Sequence, residues 1–482
     1  MNADVLSRTR SLCPVCLKTL DAAIVREPGS DAAYIRRTCP EHGEFSGLIW
    51  KGEPSLESWS RPKGISRTVQ RETQTRLGCP HDCGRCPEHG QNACTVLFEI
   101  TGRCDLRCPV CFADAGGNAS PFTPLSVLTE QLQWIKEHAG EVVLQISGGE
   151  PTLHPDLIPL VRAGRTLFPA VQLNTNGLSL AERPELAREL AEAGLSWVFL
   201  QFDGTTDDIF TALRGKPLLE RKLAAVKHCG QAGLSVVLVP TVAAGVNDGD
   251  LGNLARLALS LAPTVRGLHI QPMTGSGRNS LADALPPITL PQVLQALSEQ
   301  SGGQIRPEHA TPPGCEHERC SFHCRYRISP SGSLIPLRGD GPCCPSSDQG
   351  ASPAACCSGL EDSAPPGMLA NMPEDALGGA RRAIEVILRA WQGPPGSEGQ
   401  DRGSRAAPDA FDAFITQARI RTFSVTCMAF QDAWNVDLAR LKGCCVHVFM
   451  PPDRLIPFCA CNMTALDGTP LHRRKHDGPG PV

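Results

Sequence analysis

The sequence lacks a strong charge of either sign. Forty-six lysines and arginines face 50 aspartates and glutamates, a net charge of −4. No global basic field therefore draws the chain to nucleic acid. The stretch His472-Arg473-Arg474-Lys475-His476 is basic, and reads as a short solvated terminus. Long apolar runs are also lacking. The longest, Leu234 to Val246, is interrupted by Pro240 and falls short of the ~20 residues that span a bilayer. No transmembrane segment is expected. Met1 to Cys13 carries charges and no apolar h-region, which speaks against a secretory signal. A cytoplasmic, reducing location follows.

Against these absences stand 23 cysteines in 482 residues. In a reducing compartment, clustered cysteines mean metal more often than disulfides, and an odd count agrees. The length suits about three domains. The expected divisions are a metal-knuckle domain over 1–78, a core with a Cys-rich lead-in over 79–300, and an auxiliary metal domain over 301–482.

The chain is organised around residues 95–112. An apolar, β-branched run ends in a turn, and Cys104, Cys108 and Cys111 follow as C-x3-C-x2-C. Three thiolates on one loop hold three irons of a cubane cluster and leave the fourth open to a small molecule. A structural zinc loop is the plainer alternative, but zinc sites favour a C-x2-C knuckle. Cys79, Cys83, Cys86 and Cys94 repeat the spacing with a fourth thiol at hand. That tetrad suits a closed auxiliary cluster and rivals the later triplet, but only the triplet follows a strand.

From 95 to 300, strand-like and helix-like runs alternate. The expected strands are Thr95 to Thr101, Glu141 to Ile146, Ala170 to Asn174, Ser196 to Phe202, Leu234 to Val242 and Val265 to Gln271. Helices are expected over Ser126 to His138 and Leu180 to Ala193. Six βα units imply a parallel sheet with right-handed crossovers, an open (β/α)6 partial barrel with its chemistry at the C-terminal strand ends. Ser147-Gly148-Gly149-Glu150-Pro151 follows the second strand. Its glycines allow close backbone approach to a ligand, and Glu150 can accept hydrogen bonds from an ammonium. Asn174 ends the third strand, and Gln201 and Asp203 the fourth.

The remaining cysteines fall into groups. Cys13 and Cys16 form a knuckle, with Cys39 and His42 as its partner. The set suits zinc, or a rubredoxin-like iron if a fourth thiolate arrives from elsewhere. Cys315, Cys320 and Cys324 open the C-terminal region. The run from Cys324 to Leu337 aligns without gaps on Cys445 to Phe458, 121 residues on. Each copy reads as a hairpin with a cysteine at its entry. Cys427, Cys445 and Cys459 are expected to form one site, with Cys444 or Cys461 as the fourth ligand. Residues 338–366, which hold Cys343-Cys344 and Cys356-Cys357, read as a loop insertion, and Gly393 to Pro408 as a linker. Helices are expected on either side of that linker, over Ala380 to Trp391 and Asp409 to Ile420.

The triplet with its Gly-Gly-Glu-Pro loop resembles the radical S-adenosylmethionine (SAM) superfamily. The hairpins resemble the auxiliary-cluster hairpins of SPASM and twitch domains. The N-terminal Cys-Pro-x-Cys with Cys-Pro-Glu-His-Gly, Gln271-Pro272-Met273 with Gly277-Arg278, and the ending around Phe430 to Asn435 and Cys445 to Cys459 resemble the family that includes tetraether lipid synthase and a pterin methyltransferase. The resemblance departs in the Cys-pair insertion and at Cys461. It also departs at Val110, where the superfamily often has an aromatic residue that packs near adenine.

The resemblance implies a 4Fe–4S cluster at Cys104, Cys108 and Cys111, with Gly148, Gly149 and Glu150 on the methionine amino group of SAM. It implies that the third to fifth strand ends touch the ribose and carboxylate of SAM, and that the fourth and sixth face substrate. Auxiliary 4Fe–4S clusters are implied as well. One-electron reduction of the site, by a reductant such as ferredoxin or flavodoxin, would cleave SAM and give a 5′-deoxyadenosyl radical that abstracts hydrogen. Three readings remain. The first is C–C bond formation between lipid tails, with peripheral membrane contact and a long apolar cavity. The second is a radical methyltransferase on a pterin or similar small molecule, with a compact polar pocket. The third is a non-catalytic electron carrier, which the intact SAM loop disfavours.

Overall fold

The computed structural model describes residues 3–60, 74–84, 86–116, 121–281, 285–337, 384, 385, 387, 388, 390, 391 and 422–473. The Cys-pair insertion, the linker and the helix expected over 409–420 lie outside these residues. The described part of the helix expected over 380–391 is helical.

Four antiparallel strands open the chain: β1 (Asp4–Leu12), β2 (Thr19–Arg26), β3 (Ala32–Cys39) and β4 (Gly43–Lys51). The turn after β1 carries Cys13 and Cys16, and the β3–β4 turn follows Cys39 and holds His42. The ribbon docks on the rest and shares its cores: Ile24 and Ala33 join the main one, and Leu12 and Leu17 pack with Val436 and Met463. Trp50 and Trp59 are buried in the main core. The Arg37 guanidinium bridges to the Ala433 carbonyl at 2.8 Å.

The next strands are β5 (Thr95–Glu99), the short β6 (Val110–Cys111), β7 (Val143–Ser147), β8 (Ala170–Thr175), β9 (Trp197–Gln201), β10 (Val236–Val239), β11 (Thr241–Val242), β12 (Val265–Pro272) and β13 (Arg278–Asn279). β5, β7, β8, β9, β10 and β12 pair in parallel in chain order. They form the partial (β/α)6 barrel. Side chains alternate across the strands. Phe98, Ile146, Leu173, Leu200, Leu238 and Ile270 belong to the main core that the helices cover. Leu128, Leu132 and Ile135 of helix Leu125–Ala139 supply its cover at three- and four-residue spacing. Gln145, Asn174, Phe199, Gln201, Val239 and His269 line the lumen instead.

Two elements read as continuous are broken, both at proline. The fifth barrel strand stops at Val239 and resumes as β11, because Pro240 has no N–H for the ladder. The helix expected over 180–193 is two helices, Leu178–Glu182 and Pro184–Glu192, with Pro184 at the first position of the second.

The region after residue 300 extends the same sheet at both edges. β14 (Ser321–Ile328) and β15 (Leu334–Pro336) form a hairpin that joins through β16 (Thr422–Met428), which runs parallel to β12. β17 (Val446–Met450) and β18 (Arg454–Pro457) form a second hairpin, whose β17 runs parallel to β5. The two hairpins are the internal repeat and share one register. Tyr326 pairs with Pro336, Arg327 with Ile335 and Ile328 with Leu334. Their counterparts pair as His447 with Pro457, Val448 with Ile456 and Phe449 with Leu455.

Candidate active site

The Cys104–Cys111 loop leaves the C-terminal end of β5 and crosses the mouth of the barrel. The loop after β7 pins it. Gly149 N donates to the Thr101 carbonyl at 2.7 Å, and Glu150 N to that of Arg103 at 2.7 Å. A Cβ on Gly148 would stand 2.4 Å from the Thr101 carbonyl oxygen, and one on Gly149 2.3 Å from that of Arg103. Two glycines are therefore needed for the two loops to touch. On the other side, β13 pairs with β6, and Arg278 Nε donates to the Cys108 carbonyl at 2.9 Å. Asn176 Nδ2 donates to Asp105 at 2.6 Å.

Burial pushes the Cys104 thiol up to about 12, and the Glu150 and Asp105 carboxylates add to this. Burial also raises Cys108, against the pull of Arg214. Metal that displaces those protons would relieve the cost. A single ion draws its ligand atoms to within about 4 Å of one another, at zinc–sulfur bonds of ~2.3 Å. The described groups gathered within 4.8 Å do not include these three thiols. The wider spacing suits ligands to separate irons of one cluster.

Two residues expected on SAM are engaged with the chain itself. Glu150 is fully buried, and its carboxylate is taken by the chain itself. Oε1 accepts from Thr152 N at 3.0 Å and Thr175 Oγ1 at 2.7 Å, and Oε2 from Asn176 N at 2.7 Å. The backbone of Gly148 and Gly149, rather than the carboxylate, walls the cavity. Asp203 likewise serves the scaffold. It pairs with Arg214 through two bonds of 2.7 and 2.5 Å and accepts from Thr241 N at 3.1 Å. Burial works against the Arg214 charge, but Asp203 holds it above the ordinary range. Arg214 Nη1 also donates to the Val110 carbonyl at 3.0 Å, tying the Cys loop to two strand ends. Asn174 and Gln201 do line the cavity.

Arg214, Lys222 and His269 escaped the sequence reading. Lys222 is buried beneath the site, where its Nζ donates to the Asn176 carbonyl at 2.5 Å and to Gln201 Oε1 at 3.1 Å. Burial lowers it to about 8, against the Asp203 charge. The signal for Arg214 was present: an arginine ending a helix that starts four residues after Asp203.

The cavity occupies about 600 Å³ of the lumen, from the Cys104–Cys111 loop down to Cys94 and Cys315 at the other end of the strands. Among the described residues its walls are mostly apolar, with amide, imidazole and hydroxyl groups set among the aliphatic and aromatic side chains. They are not the unbroken apolar tunnel that two lipid tails need. No helix among the described residues is long and apolar enough to cross a membrane.

The remaining cysteines regroup. Cys13, Cys16, Cys39 and His42 come together as expected, with all ligand atoms within 4.8 Å. His42 Nδ1 stands 3.4 Å from Cys39 Sγ and 3.7 Å from Cys13 Sγ. Cys94, expected with Cys79, Cys83 and Cys86, instead joins Cys315 and Cys445. The Cys94 and Cys445 sulfurs are 3.2 Å apart, because both residues precede neighbouring parallel strands. Glu316 Oε2 lies 3.9 Å from Cys445 Sγ. Cys83 is raised by Cys79 and by burial, with Cys86 and Cys444 nearby.

The expected set Cys315, Cys320 and Cys324 thus divides. Cys320 accepts from Arg440 Nε at 3.0 Å, while Cys324 lies within β14. Four extended residues span about 13 Å, too far for one cluster. The set Cys427, Cys445 and Cys459 divides too. Cys427 packs beside Cys324 in the main core, and Cys459 accepts from Gln431 N at 3.3 Å. Cys461 is buried near Arg473.

A half-barrel with an open three-cysteine loop, pinned by a Gly-Gly-Glu turn at the mouth of its lumen, defines a radical SAM enzyme. The radical SAM superfamily profile matches residues 98–258. The HMPTM N-terminal zinc ribbon domain profile matches residues 5–51. The 7,8-dihydro-6-hydroxymethylpterin dimethyltransferase of Methanocaldococcus jannaschii is 31% identical, over 97% of this chain and 94% of its own. The chain belongs to the radical SAM family that contains that protein. The GTP 3′,8-cyclase of Clostridium acetobutylicum is 24% identical, over 52% of this chain and 82% of its own. The crystal structure of Streptococcus suis SuiB bound to precursor peptide SuiA overlaps 38% of this chain and 40% of that one. Its 17% identity and TM-score of 0.34 are too slight to bear on function. The enzyme uses a 4Fe–4S cluster and SAM, and its zinc ribbon and further cysteine groups provide auxiliary metal sites.

Proposed function

We propose that the protein is a radical SAM methyltransferase acting on a reduced pterin or a similar heterocycle. The full-length likeness to a pterin dimethyltransferase carries this reading, and the amide and imidazole groups set among the apolar walls of the lumen support it. Both weigh against lipid tails as substrate, the reading that the sequence resemblance placed first.

In this reading Cys104, Cys108 and Cys111 hold the cluster, and the Gly148–Gly149 backbone, Asn174 and Gln201 border SAM. A reduced cluster held there would supply one electron that cleaves SAM to methionine and a 5′-deoxyadenosyl radical, and the radical would take hydrogen from the substrate carbon. A second SAM would give that carbon its methyl group and leave as S-adenosylhomocysteine, with a ferredoxin or flavodoxin as the source of the first electron and of the second that closes the shell. Gly148 and Gly149 keep the Cys loop against the barrel, and Arg214 keeps it level with the strand ends.

The test is anaerobic reconstitution with iron, sulfide, SAM and a strong reductant, with 7,8-dihydro-6-hydroxymethylpterin as substrate. Mass spectrometry should find 5′-deoxyadenosine together with pterin carrying one or two added methyl groups. If 5′-deoxyadenosine forms and the pterin returns unmethylated, the substrate reading fails.

In the same reading Cys94, Cys315 and Cys445 hold one auxiliary metal site. Cys94→Ala and Cys445→Ala should then lose the same iron or zinc, and the double variant no more than either alone. Additive losses in metal analysis would separate the two cysteines.

A further inference from the structure

A chain of side-chain amides runs through the barrel lumen in one direction. It starts at Trp197, whose indole nitrogen can only donate, and so fixes every amide after it. Trp197 Nε1 donates to Gln172 Oε1 at 2.8 Å. Gln172 Nε2 donates to Asn174 Oδ1 at 2.5 Å, and Asn174 Nδ2 to Gln145 Oε1 at 3.2 Å. The chain ends at Gln145, which lines the cavity. Its carbonyl is used and its NH2 group has no recorded partner among the described residues. Hydrogen bonds in series polarise one another, so this terminal NH2 is a strengthened donor.

Across the lumen the polarity is opposite. The Thr426 hydroxyl gives its one hydrogen to the Leu268 carbonyl at 3.2 Å. With that hydrogen so placed, it accepts from His269 Nδ1 at 2.8 Å. We assign the imidazole this tautomer, in which Nε2 carries the lone pair. Burial lowers His269 to about 3, with His323 adding, so the ring stays neutral. Between the two walls lies an aromatic floor. Phe199 stands 5.3 Å from the His269 ring and 4.8 Å from Trp391. Trp391 is 7% exposed, and its Nε1 has no partner among the described residues.

We infer that this mid-lumen shelf is a subsite for the lactam edge of a planar heterocycle. The Gln145 NH2 group donates to the ring carbonyl, His269 Nε2 accepts from the adjacent ring N–H or amino group, and Phe199 and Trp391 pack against the plane. The inference rests on the proposed heterocycle substrate and names the residues that select it. These are specificity residues, distinct from the Cys loop and from the glycine turn.

The test compares two substrates on each reconstituted enzyme: the 4-oxo dihydropterin and its 4-amino analogue, which offers a donor where the lactam has its carbonyl. The native enzyme should favour the 4-oxo compound by about 10- to 100-fold in kcat/KM, the cost of one buried unmatched polar group. Gln145→Glu replaces the donor by an acceptor and should reverse that preference. His269→Phe keeps a ring and removes the acceptor. It should raise KM for the 4-oxo compound about tenfold or more, with kcat within about threefold, and His269→Gln should restore part of the loss. The preference is a ratio measured on one protein, so partial misfolding cancels. An unaltered ratio in Gln145→Glu, or equal loss on both substrates, would overturn the inference while leaving methyltransfer to the pterin intact. If the native enzyme methylates neither compound, the heterocycle reading itself fails.

Discussion

The Cys108→Ala protein is expected to make no 5′-deoxyadenosine above background. Cys108 is 8% exposed, and its backbone carbonyl is held by Arg278 at 2.9 Å. Alanine leaves the fold of the loop in place and removes one of three iron ligands. Disturbing the shell around a metal ligand costs about 10- to 100-fold, so loss of a ligand should exceed that range. Iron should fall by one cluster, and metal at the zinc ribbon should remain. Cys79→Ala is the control for the other C-x3-C-x2-C run. It should lose iron and still cleave SAM without substrate. The opposite pattern, with cleavage lost in Cys79→Ala and kept in Cys108→Ala, would exchange the roles of the two runs.

That two runs of one spacing needed separating shows where the sequence stops being informative. Spacing reports which thiols are close along the chain. The barrel was legible because its signals are local: period-two strands, three- and four-residue helix faces, and glycines after the second strand. The hairpin repeat was legible as two strands and a turn in each copy, and the structure adds that residues 121 apart pair alike. The cysteine groups were not. Cys94 meets Cys445 because β17 adds to the free edge beside β5, and no local pattern announces which edge a distant strand will take. The partners of Glu150 and Asp203 were hidden for a related reason. A buried carboxylate collects the nearest donors, whatever their place in the sequence. For Asp203 these come from Arg214 and Thr241, 11 and 38 residues away.

Arg214→Met is expected to cost about 3–5 kcal/mol of stability, because it leaves the Asp203 carboxylate buried and without its cation. The pair has side-chain exposures of 4% and 0%, so water cannot take the place of the guanidinium. Lys222 is near, but it is committed to the Asn176 carbonyl and Gln201. The same substitution removes the bond to the Val110 carbonyl and frees the Cys loop on that side. SAM cleavage should therefore fall even where the protein remains folded. The double variant Arg214→Met with Asp203→Leu separates the two effects. Removing both charges leaves no orphaned carboxylate, so most of the lost stability should return. The tie to the Cys loop stays broken, so cleavage should remain low. Urea unfolding midpoints under anaerobic conditions measure the first effect, and 5′-deoxyadenosine formation at saturating reductant measures the second. If stability and cleavage recover together in the double variant, the tie to Val110 is dispensable, and Arg214 serves the site only by neutralising Asp203.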